Sequence, residues 1–418
     1  MDPATTYKFI KSGAQAMRYD MRAWRHHLHQ YPELSFKEEE TTRFVSERLR
    51  EFGFTDIQEG FGPLKTGVMA SVGKGRPCVC LRANLDALPI TEQTGLPYAS
   101  KNEGVMHACG HDVQVATLLG AAKLLKCIEP AITGRVKFLF QPGEEKRQRY
   151  MDELLPGAGF VLLSGAVNDV DALFAMHAWG TFEKGRIYVR SGPAMMASSR
   201  FMIKVIGQGT HGAYPHMGHD PVITACQIVE ALQTIISREM NPSAPGLITV
   251  ATIHGGRTYN VTPQEVEITG LIRAPDSDLL NWLGERVETV AQKTAEAHLC
   301  TAECHVLVNG PAVINDPAMT SVVREAAAQI VGPERISDIG QLTSSEDFRE
   351  YSSRKPAALY FMGMKDELQG FGQPQHSPYY RVPDDILPDS AAVMASIAVR
   401  CLEKLAKKKQ PEGGRQPE

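Results

Sequence analysis

Apolar residues recur at helical spacing over 7–30, where Phe9, Ile10, Met17 and Trp24 stand among polar neighbours. They do so again over about 36–52, with Phe44, Val45 and Leu49. Short apolar runs follow. Residues 66–72 and 77–85 read as strands, the second rich in Cys, Val and Leu. A helix with Val115, Leu118, Leu119, Ala122 and Leu125 on one face begins after Asp112, and 135–140 and 172–176 are further strands. Strands that alternate with helices and are apolar almost throughout predict an α/β fold with a mostly parallel sheet covered on both faces.

From about residue 192 the spacing predicts strand 199–207, helix 220–239, strands 246–254 and 264–273, helix 277–298 and strand 301–308. That is the β-α-β-β-α-β order of a ferredoxin-like unit. Glu265-Val266-Glu267-Ile268-Thr269 alternates, as a sheet with one wet face requires. An inserted α+β domain over 192–309 is therefore expected, between two parts of a main domain, 1–191 and 310–406. The second part reads as helix 316–331, strand 357–363, a loop holding His376 and helix 388–406. Residues 407–418 contain no core-forming residues and are expected to be disordered.

Composition adds bounds. The 418 residues are 43% hydrophobic and 22% charged, with a net charge of −4, so neither nucleic acid nor an anionic membrane is indicated as a main partner. No run is long and apolar enough to span a bilayer, and the N-terminus lacks the basic and apolar regions of a signal peptide. A cytoplasmic location with reduced cysteines is the expectation. Cys300 and Cys304 lack the second ligand pair of a structural zinc site. His26, His27 and His29 read as a partly solvated helix end rather than a metal cluster.

The chemistry concentrates between His107 and Glu145. Cys109 and His111 flank Gly110 at the start of a helix, whose positive end favours thiolate. Three readings stay open there: a metal ligand pair, a buried Cys with Asp112 capping the helix, or a thiol nucleophile with a histidine partner. Glu144 and Glu145 directly follow the 135–140 strand; in extended chain they face opposite ways, so one can bind metal while the other moves a proton. Asp86, Glu144–Glu145 and His177 each fall just past a predicted strand, where open α/β sheets bind ligands. His211 lies in a Gly-rich turn leaving the first strand of the inserted domain, from which an exposed imidazole could reach across a cleft.

Eight motifs occur in order: His107-Ala108-Cys109-Gly110-His111-Asp112, Gln141-Pro142-Gly143-Glu144-Glu145, Met176-His177, Gly209-Thr210-His211-Gly212-Ala213-Tyr214-Pro215-His216, Asn260-Val261-Thr262-Pro263, Gly270-Leu271-Ile272-Arg273, Ser345-Glu346-Asp347-Phe348 and His376-Ser377-Pro378. Leu28-His29-Gln30-Tyr31-Pro32-Glu33-Leu34 fits with them. Together they resemble the aminoacylase/carboxypeptidase family of dinuclear metallopeptidases, in its amidohydrolase branch of hippurate hydrolases, N-acyl amino acid deacylases and auxin–amino acid conjugate hydrolases. The resemblance covers about residues 18 to 405.

It implies two divalent metal ions, zinc or manganese before cobalt or nickel, held by Cys109, His111, Glu145, His177 and His376. It implies Glu144 as general base and acid, and Asp86 as the carboxylate orienting a ligand. His211 would stabilise an oxyanion, and Asn260 and Arg273 would hold the substrate's carboxylate or carbonyl. The implied reaction is hydrolysis of the amide of an N-acyl amino acid or a related small conjugate, by a homodimer or higher homo-oligomer whose inserted domain serves as lid and dimerisation surface. A dipeptidase- or carboxypeptidase-like substrate range, a non-catalytic binding protein on the same fold and a thiol hydrolase using Cys109 are the alternatives. The chain departs from the family at Asn84, where Asp is usual, at Val113-Gln114-Val115, where Gly-His-Thr is usual, and over 146–151, which replace Gly and small residues.

Overall fold

The computed structural model describes residues 3–408. Over these residues the chain divides into two compact units, one of residues 3–192, 314–340 and 350–408, the other of 193–313 and 341–349. Residues 341–349, expected with the main domain, group with the second unit.

An eight-stranded sheet organises the first unit. Its strands, in spatial order, are Ile57–Phe61, Leu64–Gly73, Arg135–Gln141, Cys78–Asn84, Ala172–Glu183, Ala357–Lys365, Ile187–Tyr188 and Ile336–Ser337. The four central strands from Arg135–Gln141 to Ala357–Lys365 pair in parallel; the first two strands join antiparallel to them. The sheet is thus mixed but mostly parallel. Cys78–Asn84 is buried at every position, because both faces are covered.

Helix His111–Cys127 packs on Cys78–Asn84, on Ala172–Glu183 and against helix Leu387–Lys408. The sequence suggested one apolar face, but the helix is buried around its circumference, with Gln114 and Thr117 inside as well. Burying each of its leucines contributes about 1.5–3 kcal/mol, which holds the first turn, where His111 sits, against the sheet.

Several expectations need correction. The single helix over 7–30 is two, Pro3–Ala16 and Arg18–Gln30, broken at Met17 (φ −89°, ψ 7°) without a Gly or Pro to signal it. His29 is buried, not solvated. Strand 172–176 runs on to Glu183, so His177 lies inside the strand, opposite Phe361; that parallel pairing extends it beyond its apolar run. Residues 146–151 belong to a hairpin of Arg147–Tyr150 and Glu153–Pro156. The final helix continues to Lys408, past the expected boundary at 407, and residues 409–418 of the proposed tail lie outside the described residues.

The second unit contains strand Ala197–Ile206, helix Pro221–Thr234, strands Leu247–Gly255 and Glu265–Ala274, helix Ser277–Ala297 and strand Thr301–Gly310. Its antiparallel sheet runs Leu247–Gly255, Glu265–Ala274, Ala197–Ile206, Thr301–Gly310. Val266, Ile268 and Ile272 alternate inward and meet Ile228, Leu232, Leu283 and Val287 of the helices. Among the described residues, no helix is long and apolar enough to cross a membrane.

Candidate metal centre

The Cys109–Gly110–His111 turn leads into helix His111–Cys127 with Gly110 in the left-handed region (φ 82°). A Cβ there would sit 3.0 Å from Tyr380 Oη and 3.1 Å from Ala178 Cβ, so both backbone and space require glycine. Asp112 does not cap the helix; Gly110 holds that position. His177 arrives from the neighbouring strand, its Nε2 3.5 Å from Cys109 Sγ. His376 sits in left-handed backbone (φ 65°), and its amide donates to Ala108 O at 2.8 Å, tying its loop to the cysteine turn.

Three overlapping sets of potential ligand atoms result, each within 4.8 Å: Cys109, His111 and His177; Cys109, Glu145 and His376; His111, Glu144 and Glu145. Each pair of sets shares a member, so the six residues form one cluster with room for more than one ion. The adjacent glutamates do not face opposite ways. The chain bends at Glu144–Glu145 after Gly143 (φ 63°), and both carboxylates come within reach of His111.

Both buried imidazoles have one ring nitrogen tied to a backbone carbonyl. His111 Nδ1 donates to Asp86 O at 2.8 Å and lies 3.3 Å from Asp86 Oδ1. His177 Nδ1 donates to Ala178 O at 2.7 Å. With Nδ1 so engaged, Nε2 is the ring nitrogen of each that faces the cluster. His111 Nε2, Glu145 Oε1 and Asp86 Oδ1 are buried and have no hydrogen-bond partner among the described residues; Glu145 Oε1 stands 3.4 Å from His376 Nε2. Such atoms are costly unless something satisfies them. Burial alone would push His111 down, but Asp86 and Glu145 raise it to about 9. A field that draws a proton onto that imidazole is a field that draws a cation. One thiol, three imidazoles and carboxylates gathered within this cluster are a donor set that fits zinc and other divalent transition ions.

Asp86 does more than touch His111: its Oδ2 accepts from Ser35 Oγ at 2.7 Å and Glu145 N at 2.9 Å. Behind the cluster lies a buried network that sequence reasoning missed. Asp112 Oδ2 accepts from Arg25 Nε at 3.1 Å and contacts His29 Nδ1 at 2.9 Å, and His29 Nε2 lies 3.3 Å from Glu92 Oε1. Burial would raise Asp112, yet Arg25 and His29 hold it far below the usual carboxylate range. The signal available was Asp112 beside His111; its partners, 83 and 87 residues away, had none. Asn84, where Asp was expected, is buried with both side-chain amide atoms unpartnered among the described residues, and its backbone N donates to Gln114 Oε1 at 3.1 Å.

The remaining candidates lie on the second unit. His211 is exposed, its Nδ1 accepting from Ala213 N at 3.0 Å. Gly212 N donates to the exposed Asn260 at its O, 2.8 Å away. Arg273, on strand Glu265–Ala274, is half-buried with Nη1 unpartnered among the described residues; burial and Arg349 depress it.

Residues 80–400 match the family described as Peptidase family M20/M25/M40. The chain is similar to an N-acetyl-L-cysteine deacetylase of Bacillus subtilis, 39% identical over 91% of this chain and 87% of that one. It is similar to an IAA-amino acid hydrolase of Arabidopsis thaliana, 34% identical over 93% and 88%. Among solved structures, a Bacillus subtilis protein described as a dinuclear metal binding peptidase from the M20 family superposes with a TM-score of 0.78 at 32% identity, over 93% of this chain and 99% of that one.

Proposed function

The chain belongs to peptidase family M20/M25/M40, and from that premise we propose that it hydrolyses the amide bond of N-acyl amino acids or related small conjugates with the help of two divalent metal ions. The observation that carries this reading is the three interlocking ligand sets of Cys109, His111, Glu144, Glu145, His177 and His376. Cys109, His111, Glu145, His177 and His376 are the ligands, with zinc or manganese the first choices.

When bound, such ions polarise an amide carbonyl and make water a stronger acid. Glu144 takes a proton from the attacking water and returns it to the leaving nitrogen as the C–N bond breaks and the C–O bond forms. Asp86 fixes the His111 ring and the Glu145 backbone. His211 donates to the developing oxyanion, and Asn260 and Arg273 hold the substrate's carboxylate or carbonyl; the unpartnered Arg273 Nη1 supports this part. The second unit, with its ferredoxin-like element order, acts as lid and dimerisation surface of a homodimer.

The test is turnover of a panel of N-acyl amino acids by protein of measured metal content, before and after chelation. The 3.5 Å contact between Cys109 and His177 also suits a thiol nucleophile. A thiol enzyme keeps its activity after metal removal; the proposed hydrolase loses it and regains it with zinc or manganese.

A further inference from the structure

Glu38 belongs to none of the motifs, yet it is fully buried. It precedes helix Glu39–Glu51, and its side chain makes no cap bond to that helix. Its Oε1 instead accepts from Phe36 N at 2.9 Å and, across 105 residues of chain, from Gly143 N at 2.8 Å. Gly143 is where the chain turns to present Glu144 and Glu145. The turn is held from several sides. Gly143 O accepts from Gly157 N at 2.8 Å. The Phe36 ring packs so closely that a Cβ on Gly143 would lie 2.3 Å from its Cε1, and Phe36 is itself left-handed (φ 66°). Beyond the two glutamates, Asp86 Oδ2 takes Glu145 N at 2.9 Å. The two buried carboxyl groups therefore bracket Glu144–Glu145, one at each end.

We propose that Glu38 is a positioning residue of this site: by holding Gly143 N–H it sets the backbone from which Glu144 and Glu145 reach the cluster. Its kinetic consequence rests on the metal-hydrolase reading; its structural consequence does not. Burial, with Asp86 nearby, pushes Glu38 up to about 8, so at neutral pH it presents an acceptor oxygen without full charge, which a glutamine reproduces.

The experiment compares Glu38→Gln and Glu38→Leu with the wild type in the full chain, by hydrogen exchange of the peptide covering 141–145, by affinity for zinc alone and by kinetics on the best N-acyl amino acid. In Glu38→Leu, exchange is expected to rise at least about tenfold, zinc to bind about 10–100-fold more weakly and kcat to fall about 10–100-fold with KM within about threefold. Glu38→Gln is expected to stay within about threefold of wild type throughout, because it keeps the acceptor. If the leucine variant does not fold, Glu38→Asp, too short to reach Gly143, takes its place with the same expectation. Unchanged exchange and zinc affinity in the leucine or aspartate variant, or a glutamine variant as damaged as either, overturns the proposal. A wild type without amidase activity whose variants still show the exchange pattern leaves the positioning role supported and sinks the functional reading alone.

Discussion

Two clusters of titratable groups lie back to back along His111-Asp112, and they are built on opposite principles. Around Asp112, opposite charges meet: Arg25 and His29 share Asp112 Oδ2, leaving Oδ1 unpartnered among the described residues, Glu92 takes the other side of His29, and Arg25 adds bonds to Val382 O at 3.0 Å and Asp384. Around His111, a thiol, imidazoles and carboxylates crowd together, and His111 Nε2, Glu145 Oε1 and Asp86 Oδ1 stay unpartnered among the described residues. A cluster whose opposite charges meet within the protein is structure. A cluster that lacks positive charge is a site for something that brings it. The cluster at His111 opens to solvent through Glu144, Glu145 and His376 while the network at Asp112 stays inside, and it is the matching of opposite charges that sets the two apart.

The sharpest way to break this contrast is Glu144→Gln. The side chain keeps its size and loses its basicity, so turnover should fall about 10²–10⁴-fold while elemental analysis finds the metal content unchanged. Full activity would remove Glu144 from the mechanism. Arg25→Met probes the other cluster. It leaves Asp112 charged and buried, and urea unfolding of the metal-free protein should show a loss of about 3–5 kcal/mol. Cys109→Ser, unfolded in the same metal-free state, should cost about 1 kcal/mol or less, in line with a small buried substitution, while a separate zinc titration should show most of the affinity lost. Equal stability losses in these two variants would erase the distinction between the clusters.

A weaker effect tests His29 by pH. Burial lowers its basicity, but Asp112 and Glu92 raise it above the ordinary value of 6.5. Its contribution is complete below 6.5 and declines as pH rises through the folded-state value. The stability gap between wild type and His29→Asn should therefore narrow on the alkaline side; a gap constant from pH 6 to pH 9 contradicts the pairing. The smallest effect is expected at the surface. Against partial burial, Lys404, Ser321 and Arg400 hold Glu325 down at about 2. Its contribution is present above 4.5 and lost as pH falls toward 2, and solvent screening keeps Glu325→Gln within about 1 kcal/mol.

The order of strands and helices was readable because period 2 and period 3.6 are local properties. So were the Cys109–His111 turn and the Glu144–Glu145 pair, whose residue types advertise metal chemistry at short spacing. The break at Met17 was not readable, since no residue there forces it. The length of the strand bearing His177 was hidden for a related reason: Ala357–Lys365 pairs with it beyond the apolar run.

Which residues serve the site, and how, depended on contacts between distant segments. No periodicity joins Glu38 to Gly143 or Arg25 to Asp112. The bend that turns two neighbouring glutamates toward one histidine follows from a left-handed Gly143 packed under Phe36. The chain alone determined its fold class, its family and the residue types able to bind metal, because these are written in composition, spacing and order. Tertiary structure alone decided which lone pairs are left unpaired in the interior, because hydrogen-bond balance is settled only when remote segments meet and exclude water.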